Sequence, residues 1–109
     1  MIRASYDRTA CSLQVEGHAL GERNGEGNDL LCCSATILTY TLAAALIDLC
    51  ADGHVSDPSA ILRPGYALLA CTPSHRSRPT VTVTFDTVAR GLALLAAKFP
   101  EYMSYEERE

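Results

Sequence analysis

The sequence predicts an α+β domain in which two helices pack on one face of a small, mainly antiparallel sheet, in the order ββαββαβ. Three observations carry this expectation. The N-terminal stretch alternates apolar and polar residues at the strand period, a long apolar stretch after position 29 repeats at helical spacing, and a second alternating stretch near Thr80 leads into another helical pattern closed by Pro100. At 109 residues the chain fits one domain, 1–109, which should bury roughly 60 to 65% of its unfolded surface.

The first strand is expected over residues 2–6, and Asp7, Arg8 and Thr9 turn the chain. Cys11, Leu13 and Val15 then alternate with Ser12, Gln14 and Glu16, so the second strand of the hairpin offers one apolar face. Gly17 ends the pattern and leaves His18 at the strand exit. From there to Asn28 the chain is rich in charge and in glycine (Gly21, Gly25, Gly27), as expected of a mobile loop.

Asp29 is expected to cap the first helix, whose first turn then holds Leu30, Leu31 and Cys32. Ile37, Leu38, Leu42, Ala45, Leu46 and Leu49 supply a wide apolar stripe, with Ala43 and Ala44 allowing close packing. Such a stripe suits a helix buried against a sheet and against a partner subunit. Gly53 should end it. Residues 55–64 contain Pro58 and Pro64 and few periodic positions, which predicts a connection. Residues 66–71 form a strand and 72–79 a polar linker. Residues 80–85 alternate, with Val81, Val83 and Phe85 inward, and predict a further strand. Asp86 then caps a second helix carrying Val88, Leu92, Leu95 and Phe99, and Tyr102, Met103 and Tyr105 make a last short strand.

Composition narrows the function. A formal charge of −4, no basic run, two Phe and no Trp leave little to grip a phosphate backbone or stack on bases, so direct nucleic-acid binding is not expected. The five cysteines, an odd number, follow no apolar signal core, which predicts free thiols and a cytoplasmic setting. The apolar stretch 35–47 is interrupted by Thr36, Thr39, Tyr40 and Thr41, and no membrane span is expected from it.

One constellation can carry chemistry. A thiol becomes a nucleophile when its thiolate is populated, and a helix N-terminus or a neighbouring imidazolium populates it. Cys32, near the start of the first helix, and His18, at a strand exit, suit that pairing. Backbone N–H groups there, including that of Cys33, could hold an oxyanion. Against this stand plainer readings. Most isolated cysteines are small hydrophobes, Cys33 competes for the role, and Cys11, Cys50 and Cys71 sit in apolar patterns that suggest packing. A zinc site from His18, Cys32 and Cys33 lacks a fourth ligand and the usual spacing. His54 follows the helix stop and suits contact with the last carbonyls, whereas His75 sits in an exposed linker. The glycines between His18 and Cys32 lack the GK[ST] ending of a phosphate loop; they give the loop flexibility or, in a functional reading, a lid that opens for a peptide and closes over Cys32.

Gly17-His18-Ala19, the glycine-rich loop, and Asn28-Asp29-Leu30-Leu31-Cys32 opening a long helix resemble the motifs of the ribosomal processing cysteine protease family, often called Prp. The resemblance runs in order along nearly the whole chain. It implies that Cys32 is the nucleophile, His18 the catalytic histidine and Asp29 the acidic residue before the helix. It also implies a two-helix sandwich forming a homodimer, no cofactor, and removal of the N-terminal extension of a bacterial large-subunit ribosomal protein (bL27). The partner so implied is the N-terminal peptide of that precursor. The chain departs from the family in having Cys33 where Ala is common, Thr36 where Ser is common, and a slightly longer loop. Thr36 keeps a hydroxyl, and the substrate sequence is the property these changes touch most. The competing expectations are a peptidase acting on another bacterial or phage protein, and a noncatalytic dimeric peptide-binding module of ribosome assembly.

Overall fold

The computed structural model describes residues 1–17 and 26–109, with side chains in 1–17 and 30–109. In chain order it contains β1 (Ile2–Asp7), β2 (Ser12–Glu16), α1 (Glu26–Ala51), β3 (Val55–Arg63), β4 (Tyr66–Pro73), α2 (Arg78–Lys98) and β5 (Met103–Arg108). The five strands form one sheet in the order β3-β4-β2-β1-β5. Every pairing is antiparallel except that of β1 with β5.

Strand alternation places the core. Ile2, Ala4 and Tyr6 of β1 face the helices together with Leu13 and Val15 of β2 and Ala67, Leu69 and Cys71 of β4, and all are buried. Residues between them, such as Arg3, Ser5, Gln14 and Glu16, lie on the opposite, wetter face. α1 packs over β3 and β4, α2 over β5, and the helices meet each other. Their approach is close at Gly91, where a Cβ would come to 3.0 Å from Leu38 Cδ2.

The ββαββαβ order is as expected, but two of its elements are not where the pattern put them. Residues 55–64 are mostly strand β3, not a connection. β3 tolerates Pro58 because it is an edge strand, where a missing N–H costs no ladder bond, and because its register shifts between Ser56 and Ser59 beside Asp57 at φ +50°. Residues 80–85 are not a strand but the first turns of α2. Strand and helix spacing share Val81 and Phe85, both fully buried. The test position between them, Val83, is 63% exposed, and the burial continues at Val88, Ala89 and Leu92. Thr84 and Thr87 also donate their hydroxyls to Thr80 and Val83 carbonyls one turn back. The β-branched run is overridden by this helical burial and by Ser77 and Pro79 at the helix start.

Asp86 therefore caps nothing. It lies inside α2 and accepts hydrogen bonds from the Tyr6 hydroxyl at 2.7 Å and from Arg8 at 3.1 Å. Tyr6 also stacks on Phe85, with ring centroids 6.2 Å apart.

α1 ends as expected at Gly53, whose φ of +81° suits glycine. The Gly53 N–H bonds the Cys50 carbonyl and the His54 N–H bonds the Leu49 carbonyl, which closes the last turn. The side chain of His54 does something further: Nδ1 stands 2.7 Å from Ser77 Oγ, tying the end of α1 to the start of α2. At its other end α1 begins at Glu26, about a turn earlier than expected. Asp29 is thus the fourth helical residue, not the cap, and Gly27 belongs to the first turn of the helix, not to the loop.

α1 buries Leu31, Ala35, Leu42 and Leu46 but exposes Leu30, Ile37, Tyr40 and Ile47. Ile37, expected in the buried stripe, is 62% exposed. By length and composition alone, residues 30–51 and 78–98 are apolar enough to cross a bilayer, a longer stretch in the first case than the sequence reading considered. In the fold each helix turns one side to the sheet.

Candidate active site

A groove of about 240 Å³ opens between the N-terminal half of α1 and one end of the sheet. α1 contributes Cys32, Ala35, Thr36, Thr39 and Tyr40. Ile2, Val15, Leu62 and Ala67 bring apolar side chains from four neighbouring strands, and the β3–β4 turn closes the rim with Arg63, Pro64, Gly65 and Tyr66. The groove is apolar underneath and carries hydroxyls on its helical wall, a lining suited to an extended peptide with an apolar side chain.

Its walls are held from the sequence up. Pro64 presets one turn dihedral and Gly65 takes φ +76°, so the chain reverses sharply between β3 and β4. The Gly65 carbonyl accepts the Gly17 N–H at 2.9 Å, pinning the exit of β2 to this turn. Gly17 itself sits at φ +99°, and a Cβ there would collide with the Met1 carbonyl oxygen. Only glycine fits. Gly17, the residue before His18, thereby lines the same groove as Cys32.

Cys32 is half-buried and free. It is the seventh residue of α1, so its distance from the helix start is about 9 Å. The field of a helix end fades within the first turn, and the activation expected from that source is correspondingly weakened. Thr36, one turn on from Cys32, lines the groove with it. Thr39, deeper, is buried and donates its hydroxyl to the Thr36 carbonyl at 2.9 Å.

Cys33 is exposed, on a different side of the helix from Cys32 and not packed inward. Cys50, expected to be packed, is also exposed, whereas Cys11 and Cys71 are buried as expected. Burial pushes the Cys71 thiol up to about 11 and raises that of Cys11 as well, which keeps both protonated and inert. Among the described residues no three His, Cys, Asp or Glu side chains gather as metal ligands. His18, Gly21 and Gly25 lie outside the described residues, and so does the side chain of Asp29.

Tyr40 and the whole β3–β4 rim line the groove although the sequence motifs do not include them. The signal for the rim was present: Pro64-Gly65 between two apolar runs is a turn dipeptide that predicts a hairpin.

Residues 1–104 match the family model described as cysteine protease Prp. No curated protein matches the sequence. Among solved structures, the fold is similar to that of SMU.848 from Streptococcus mutans, at 23% identity and a TM-score of 0.73, covering 99% of this chain and 94% of that one. It is similar also to the essential ribosomal processing protease Prp from S. aureus. With a covalently linked product peptide that structure gives 16% identity and a TM-score of 0.74; with a substrate peptide, 14% and 0.73. In both, 99% of this chain and all of the other are covered.

Proposed function

The chain belongs to the cysteine protease Prp family and is a cysteine peptidase, and from that premise we propose that it removes the N-terminal extension of a large-subunit ribosomal protein, bL27, using Cys32 as nucleophile and His18 as base. The observation that carries the assignment is the shared groove. Cys32 and Gly17 line one cavity, and His18 is the next residue after Gly17. The S. aureus relatives, a ribosomal processing protease with substrate and with product peptide, support the substrate class.

In this mechanism an extended segment of the precursor lies in the groove with its scissile carbonyl carbon over Cys32 Sγ. His18 takes the thiol proton, the thiolate attacks and a C–S bond forms. The Thr36 hydroxyl, one turn on from Cys32, is the donor offered to the developing oxyanion. The N–H groups of Cys32 and Cys33, seventh and eighth in α1, are taken up by the helix's own hydrogen bonds and do not serve it as the sequence suggested. The C–N bond then breaks as the imidazolium protonates the leaving amine, which departs as the new N-terminus of the ribosomal protein. Water, deprotonated by His18, cleaves the thioester and restores the thiol. Thiol chemistry needs no cofactor, and the cytoplasm, where a ribosomal precursor is found, keeps the thiol reduced. The enzyme works as a homodimer, paired through the exposed apolar side of α1 at Leu30, Ile37 and Ile47.

Incubating the reduced protein with the unprocessed ribosomal protein and recording intact mass tests the reading directly. Loss of the extension at a single bond is expected. A precursor left whole by folded, reduced enzyme would overturn the assignment.

A further inference from the structure

The groove contains one charged side chain among its described lining residues, and it is a cation. All of the others are apolar, hydroxylic, glycine or the Cys32 thiol, and Arg63 stands alone on the β3–β4 rim. Among the described lysines and arginines only Arg8 is within ion-pair distance of a carboxylate. Arg63 has none within ion-pair distance among the described residues. Across the sheet Arg63 pairs with Tyr66 and Tyr66 with Glu16, so the closest carboxylate along that row is two strands away. That carboxylate is engaged elsewhere, accepting from Gln14 Nε2 at 2.7 Å.

The guanidinium is nevertheless held. Its central carbon lies 5.1 Å from the centroid of the Tyr66 ring, and its backbone belongs to the Pro64-Gly65 turn that Gly17 pins. Stacking uses the face of a guanidinium and leaves the N–H donors at its edge free. A guanidinium over a tyrosine ring, with no carboxylate partner among the described residues, keeps N–H donors for an oxygen acceptor at the rim of an otherwise uncharged groove.

We propose that Arg63 sets the charge rule for the peptide, donating to an oxygen acceptor on it and excluding lysine or arginine at the position it faces. This rests on the peptidase reading and deepens it. The acceptor is a Glu, Asp, Gln or Asn side chain or a main-chain carbonyl. These share one chemistry, and the test separates them.

The experiment uses the full chain and a set of peptides spanning the cut, in which each residue within four of the scissile bond is replaced in turn by Glu, Gln, Ala or Lys. At one position Lys should lower kcat/KM at least fivefold for the wild type, and Arg63→Glu should reverse that ranking so that Lys becomes the better residue. If Glu or Gln beats Ala there, the acceptor is a side chain. If Glu, Gln and Ala are equal and Arg63→Gln lowers all three alike, it is the main chain. The thermal midpoint should be the same in all variants, which shows that the fold is untouched. A charge ranking that Arg63→Glu leaves unchanged would overturn the inference while cleavage continued. A wild type that cleaves no peptide in the set would overturn the peptidase reading, and this inference with it.

Discussion

β1 connects two ends of the molecule that treat polar groups in opposite ways. It begins in the groove with Ile2 and ends at a clamp with Tyr6, after which Arg8 follows. At the clamp the Tyr6 hydroxyl and the Arg8 guanidinium both donate to Asp86, and the neighbouring Tyr105 hydroxyl donates to Glu107 at 2.7 Å. At the groove the Thr36 and Tyr40 hydroxyls and the Arg63 donors have no hydrogen-bond partner among the described residues. Satisfied groups fix one structure, whereas donors left open on the exposed wall and rim of a groove are available to whatever enters it. The clamp end has its polar groups paired and the groove end has them open, and under the proposed function substitutions should separate stability from activity.

The largest separation should come from Cys32→Ala. Cleavage of the precursor should fall by about a thousandfold or more, because the covalent step is lost. The thermal midpoint should stay close to that of the wild type, since Ala suits a helix and Cys32 is only half-buried. Retained cleavage by Cys32→Ala, measured by intact mass, would move the nucleophile elsewhere, with exposed Cys33 the next candidate.

Asp86→Ala should do the reverse. Tyr6 and Arg8 lose their acceptor, and the destabilisation should be about 1 to 2 kcal/mol, held down by the partial exposure of the pair. Activity per folded molecule should be unchanged. Burial alone would raise the Asp86 carboxyl, but the hydrogen bonds from Arg8 and Tyr6 prevail and hold it below the usual carboxylate range. A depressed folded value contributes stability above the unfolded value, near 3.9, that is lost as pH falls through the folded one. Urea midpoints of wild type and variant should therefore converge as pH drops below about 4. A gap that persists at pH 2 would mean that Asp86 acts by packing and not by charge.

Cys71 gives an alkaline counterpart on the same core. Desolvation raises its thiol to about 11, so the buried neutral form contributes stability that is complete below the unfolded value of about 9 and is lost as pH rises through 11. Cys71→Ala should flatten the wild-type decline in the urea midpoint between pH 9 and 11. An unchanged slope would place the alkaline transition on other groups, with Tyr6, raised by burial and by Asp86, the first to examine.

The same contrast explains what could be read from the sequence. The alternation of Cys11, Leu13 and Val15, the helix stop at Gly53 and the stop at Pro100 were legible because each is a local rule about one element. Residues 80–85 were misread because strand and helix spacing share Val81 and Phe85, and only burial at a distance decides Val83. Residues 55–64 were misread because Pro58 is forbidden in a central strand and permitted at an edge, and edge position is a property of the whole sheet. Of the site, the motif residues Gly17 and Cys32 were found and the groove that joins them was not, since its other walls come from β1, β3 and β4. The clamp was invisible for the same reason: Tyr6 and Asp86 are 80 positions apart.

The smallest expected effect tests the groove end most finely. Thr36 follows Cys32 by one helical turn, and its hydroxyl has no hydrogen-bond partner among the described residues although it lines the groove. Thr36→Val keeps the shape and removes the donor. If the hydroxyl holds the peptide or the oxyanion only in the bound state, the free protein pays nothing for its loss. The thermal midpoint should hold while kcat/KM falls by roughly three- to tenfold, the range of one neutral hydrogen bond. Thr36→Ser should restore most of the rate, because the family's usual serine presents the same donor. A fall confined to kcat assigns the hydroxyl to the transition state, and a rise confined to KM assigns it to peptide binding. Equal activity in Thr36→Val and wild type would remove Thr36 from the machinery and leave its hydroxyl bonded to water alone, with Tyr40 and Arg63 the remaining candidate donors of the groove.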